Sequence, residues 1–113
     1  FAAWRQVAPE GFVYTLKGSR FVTNRKVLAS AAEGLDRFMR QGLTELGDKL
    51  GPLLWQFAPT KKFDEADFGK FLELLPQKFG GRKIRHVVEP RNESFSTPAF
   101  IRLAREFGVA VCY

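Results

Sequence analysis

Along this chain the spacing of apolar residues switches between two and about 3.6, and that switching leaves few architectures open. A period of two marks a strand and the longer period marks an amphipathic helix. Phe1, Trp4 and Ala8 lie at helical spacing and precede a turn at Pro9-Glu10-Gly11. Gly11 to Lys17 alternates, with Phe12, Tyr14 and Leu16 on one side and Val13, Thr15 and Lys17 on the other. Thr23 or Asn24 is placed to cap a helix whose apolar stripe is Leu28, Ala31, Ala32, Leu35, Phe38 and Met39. Gly34 weakens that helix and Gly42 marks its end. A tight segment, Leu46 to Pro52, leads into a second strand, Leu53 to Phe57, stopped by Pro59.

The next helix has the clearest start. Asp64 is its N-cap, Asp67 adds negative charge to the first turn, and Phe63 can staple onto Phe68. Phe68, Phe71, Leu72 and Leu75 form its buried face, and Pro76 closes it. Gly80-Gly81 turns the chain into a third strand, Arg85 to Glu89. Thr97 caps the last helix with Pro98 at its first position, where a missing N–H does no harm. Phe100, Leu103, Ala104 and Phe107 face inward, Gly108 ends the helix, and Val109 to Tyr113 forms a fourth strand. Strand and helix in strict alternation predict an α/β fold with a mostly parallel sheet covered by helices. Four strands cannot close a barrel, which needs about eight. Because the pattern opens inside a helix and stops on a strand, residues 1–113 are expected to be one domain and an internal piece of a longer (β/α) barrel.

Composition excludes several classes. Hydrophobic residues make up 45% and charged residues 27%, a globular balance that argues against disorder. Twelve phenylalanines require a core with many ring contacts. No apolar stretch reaches the length of a membrane span and no signal segment opens the chain, so a cytoplasmic location is expected by default. The single cysteine, Cys112, cannot form an internal disulfide and reads as a small buried hydrophobe within Val109 to Cys112. One histidine and one cysteine predict no zinc site, and no cofactor motif is present. Lys and Arg outnumber Asp and Glu by 18 to 12. The tight basic clusters, Arg25-Lys26, Lys61-Lys62 and Arg82-Lys83-Arg85, read as solvated surface, so nucleic acid is not the expected partner.

Chemistry in parallel α/β folds gathers at the C-terminal ends of strands. That rule selects Lys17, with Arg20 just beyond it, Gln56, and Glu89 with Arg91 two residues on. Alternation puts Lys17, Gln56, Glu89 and Arg91 on the face away from Trp55 and Phe57. Polar side chains there need partners and can supply them to one another. Each also has a plainer reading: a solvated lysine, a glutamine serving loop backbone, a structural Glu89–Arg91 ion pair. His86 falls on the opposite face and reads as structural.

Four segments resemble the YecE-like family, also described as domain of unknown function seventy-two. Phe12 to Lys17 with Phe21 to Asn24 resembles its strand ending in lysine. Leu46 to Phe57 resembles its glycine-punctuated approach to a strand ending in glutamine. His86 to Arg91 resembles its valine-glutamate-x-arginine strand, and Phe107 to Ala110 its helix–glycine–strand step. The resemblance implies a partial TIM-barrel-like (β/α) fold and no established activity. Three positions depart from the family pattern: Asn24 and Asn92 stand where histidines are usual, and Pro90 sits inside the Glu-x-Arg motif. On this reading the chain is an enzyme or binding protein for a small polar or anionic ligand. Lys17 and Arg91 would hold negative charge, with Arg20 beside them, and Glu89 would act as base or orient Arg91. Gln56 and Thr23 would hydrogen-bond the ligand. Glu89 and Lys17 are the candidate catalytic groups. A basic nucleic-acid-binding module and a purely structural barrel segment are the alternatives.

Overall fold

Strand β2 (Leu50–Gln56) is the axis of the molecule. Its alternation is expressed as burial: Gly51, Leu53 and Trp55 are buried, while Leu50, Pro52, Leu54 and Gln56 are only partly covered. In the computed structural model, which describes residues 1–7, 9–24 and 27–112, β2 lies in a parallel sheet of order β1-β2-β5-β6. The other strands are β1 (Tyr14–Lys17), β5 (His86–Glu89) and β6 (Ala110–Val111). The register pairs Lys17 with Leu54, Gln56 with Glu89 and Val87 with Ala110. The chain is therefore α/β, with parallel strands separated by helices as expected, and the sheet is open rather than closed. Pro52 falls where the β1–β2 register shifts, a position at which a missing donor breaks no ladder.

Helices α3 (Ala32–Met39), α4 (Glu65–Leu74) and α5 (Pro98–Glu106) fill the crossovers. Asp64 caps α4 by accepting from Asp67 N at 3.0 Å, and Thr97 caps α5 with Pro98 in the first turn. Phe57, Phe63, Phe68, Phe71, Phe95 and Phe100 meet mostly edge to face, with centroids 5.2–6.5 Å apart, the geometry that aligns ring edges with π faces. The staple between Phe63 and Phe68 is part of this set.

Several expectations change. Thr23 and Asn24 do not cap the helix after them. Ser19 caps a short helix α2 (Arg20–Thr23), whose C-cap is Asn24. The apolar stripe then begins as a 3-10 turn, Leu28–Ser30, before α3, and Ala32 is exposed rather than buried. Leu43–Lys49 forms further 3-10 structure, and β2 starts at Leu50 instead of Leu53. Gly80 and Gly81 turn a two-residue hairpin, β3 (Lys78–Phe79) with β4 (Arg82–Lys83), that the sequence pattern does not announce. Cys112 is exposed, not buried. Alternation explains this: Val109 and Val111 turn toward the helices, so Ala110 and Cys112 fall on the uncovered face. Ala8, the basic pair Arg25-Lys26 and the strand end at Tyr113 lie outside the described residues. Helix α1 (Ala2–Val7) packs beside β1 through the Trp4 and Tyr14 rings, 5.6 Å apart. No described helix is long and apolar enough to cross a membrane.

Candidate functional site

Three strand ends meet at one edge of the sheet. β1 delivers Lys17. Gly18 then continues the pairing by donating its N–H to Leu54 O at 2.7 Å. A β-carbon at Gly18 would overlap the Trp55 indole, so only glycine lets the chain pass this close and turn into the Ser19 cap. Helix α2 follows at once and supplies Arg20, exposed, and Thr23, buried. β2 ends with Gln56, and its neighbours Trp55 and Phe57 are buried on the helix side. β5 ends with Glu89 and is followed by Pro90 and Arg91.

These ends enclose a cleft of about 330 Å³ lined by Lys17, Arg20, Thr23, Asn24, Gln56 and Arg91, with Ala58 and Pro59 on its rim. Five residues selected from the sequence as ligand contacts thus line one hollow. The sixth, Glu89, stands behind them. Its Oε2 accepts from Gln56 Nε2 at 3.0 Å and from Arg91 Nε at 3.0 Å. The Glu89 side chain is mostly covered while Arg91 is half exposed. The Gln56 hydrogen bond, the Arg91 hydrogen bond and charge, and the positive field of Lys17 hold the Glu89 carboxyl below its usual range; partial burial opposes them. A carboxylate held ionised is a poor base near neutral pH. It is a good anchor: it fixes one amide and one guanidinium, both on residues that line the cleft.

The surroundings of Asn92, Pro90 and Asn24, which the resemblance singles out, are defined by the fold. Asn92 Nδ2 donates to Pro59 O at 2.8 Å, and Asn92 Oδ1 accepts from Ser94 N at 2.9 Å. Ser94 Oγ in turn accepts from Phe63 N at 2.7 Å. The loops after β2 and β5 are thereby tied together, which holds the rim of the cleft. The Asn-x-Ser spacing signals the local turn at Asn92, while the bond to Pro59 carries no local signal. Pro90 comes after the last β2–β5 pair. Arg85 O accepts from Leu53 N in β2 and Glu89 O from Phe57 N just beyond it, whereas Val88 O accepts from Cys112 N. The donor lost at Pro90 would have pointed toward β6, so the proline ends that pairing without disturbing the β2 side. Asn24 is exposed on the cleft wall.

His86 is structural, as its parity suggests. It is buried, its Nδ1 accepts from Trp55 Nε1 at 2.9 Å, and its Nε2 lies 2.6 Å from Pro76 O. This pairing puts the proton on Nε2. Burial lowers the pKa of the ring, and the Pro76 contact partly offsets that. Asp67 does more than charge the first turn of α4: Oδ2 accepts from Leu28 N at 2.9 Å and lies 3.5 Å from Lys61 Nζ. Among the described residues, no group of His, Cys, Asp and Glu is placed to hold a metal.

A family model described as "Protein of unknown function DUF72" matches residues 1–113. Comparison with curated proteins and with solved structures gives no significant match.

Proposed function

This chain belongs to the DUF72 family, the YecE-like family that its motifs resemble, and we propose that it binds a small anionic or polar ligand in the cleft at the C-terminal ends of β1, β2 and β5. The single observation that carries this reading is the convergence of Lys17, Arg20 and Arg91 on one hollow, with Glu89 braced behind Arg91. Three cations at one opening raise the local concentration of anions. A guanidinium fixed through its Nε by Glu89 keeps two terminal nitrogens for a ligand oxygen pair, the bidentate geometry that suits carboxylate and phosphate. Gln56 and Thr23 add neutral hydrogen-bonding groups that orient the rest of the molecule. In this reading Glu89 is a positioning residue.

Inorganic phosphate, sulfate and sugar phosphates, screened by thermal shift at low ionic strength, test the proposal. Melting temperature should rise with concentration of at least one of them, and the rise should vanish in Lys17→Met/Arg91→Met. Absence of any shift, or a shift that the double variant retains, rules the reading out.

A further inference from the structure

The opposite ends of the strands carry a separate concentration of charge. Gly47 and Asp48 precede β2, while Lys83 and Arg85 precede β5, so together they mark the N-terminal edge of the sheet. Here β3 and β4 form a hairpin turned by Gly80 and Gly81, both at positive φ (58° and 78°), the conformation that a two-residue hairpin turn requires. Lys78 stands directly across from Lys83, and like charges in that position repel. The hairpin borders a cleft of about 580 Å³ lined by Asp48, Leu50, Arg82, Lys83 and Arg85 together with glycine backbone. Arg5 joins from α1: its guanidinium lies 3.1–3.3 Å from where a β-carbon of Gly47 would be, space that glycine leaves open. Among the described residues Arg5, Lys78, Arg82, Lys83 and Arg85 enter no ion pair. Asp48 is the one carboxylate in the lining.

We propose that this edge binds the phosphate backbone of a nucleic acid. The cations are spread over an open surface rather than gathered in an enclosed pocket, which suits successive phosphates better than one small anion. No aromatic ring lines the cleft, so bases have nothing to stack on and binding is independent of sequence. Phosphates would also relieve the Lys78–Lys83 repulsion. The site shares no residue with the cleft at the other end of the strands.

The test is fluorescence anisotropy of the full chain with a labelled mixed-sequence DNA duplex across a salt series. About three phosphate contacts predict a log–log salt slope of roughly −2.7, or about a 40-fold loss of affinity from about 50 to 200 mM salt. Arg82→Gln/Lys83→Gln/Arg85→Gln should weaken binding at least about tenfold and flatten the slope. The comparison variant, Lys62→Gln/Arg102→Gln/Arg105→Gln, removes as many charges elsewhere and should bind like the parent. Equal weakening of both variants would mean that net charge alone attracts DNA and would overturn the proposal. So would absence of binding at the lowest salt, or displacement of the duplex by inorganic phosphate at constant ionic strength.

Discussion

Replacing His86 with leucine isolates a buried polar relay of the core. The ring links Trp55 Nε1–H, on a fully buried side chain, to the carbonyl of Pro76. Leucine fills similar space but offers neither acceptor nor donor. The stranded indole N–H should cost about 1–3 kcal/mol. The Pro76 carbonyl belongs to a half-buried residue, where water can replace part of the lost bond, so it adds about 1 kcal/mol or less. The sum is about 1–4 kcal/mol, a sizeable part of the about 5–15 kcal/mol available to a domain, and corresponds to a fall in Tm of roughly 4–16 °C. Urea denaturation followed by tryptophan fluorescence and circular dichroism measures it. Trp55→Phe in the His86→Leu background should then cost less than Trp55→Phe alone, because the orphaned donor is gone. A His86→Leu variant within about 0.5 kcal/mol of the parent, or strict additivity in the double variant, would refute the relay.

Further outcomes follow from the same structure. Gly18→Ala should destabilise by about 2 kcal/mol or more, since its methyl overlaps the fully buried Trp55 ring; Gly69→Ala, inside α4 and within ordinary contact distance of Leu103 on α5, should stabilise by about 0.4–1 kcal/mol, both read by chemical denaturation. Asn92→Ala should cost about 1–2 kcal/mol through the lost Pro59 and Ser94 bonds, with faster amide exchange at Ser94 as its local signature. Stability should fall with acid in two windows. The lowered pKa of His86 means that the unfolded chain takes up its proton first, so stability drops as pH falls below about 6.5 and levels off once the folded ring also titrates. The lowered pKa of Glu89 acts likewise below about 4.5, as pH falls through its folded value; His86→Gln should remove the upper window alone.

The parts legible in the sequence are those that rest on local chemistry. Asp64, Thr97 and Pro98 start helices because their side chains satisfy, or in proline's case do not need, first-turn N–H groups. The strand parity that set Gln56 and Glu89 apart from Trp55 and His86 is a period-two count. Once the strands are parallel and in this register, the convergence of Lys17, Gln56 and Arg91 follows from it. What escaped depends on contacts across distance. The burial of Thr23 depends on where α2 is laid down, and α2 is too short to show helical periodicity. The hairpin at Gly80-Gly81 consists of two-residue strands, below the length at which alternation can be seen. The exposure of Cys112 depends on which sheet face the helices leave uncovered, and the apolar run around it hides that. The Asn92–Pro59 tie joins loops 33 residues apart, beyond any local pattern.

In the proposed site Arg91, braced by Glu89, and Lys17 together hold an anion between them. Crystals soaked in tungstate, a heavy tetrahedral oxyanion, report on it through anomalous scattering. A peak is expected within hydrogen-bonding reach of both the Arg91 terminal nitrogens and Lys17 Nζ, and it should be lost in Arg91→Met crystals of the same form. A cleft without signal, while tungstate binds elsewhere on the protein, would contradict it.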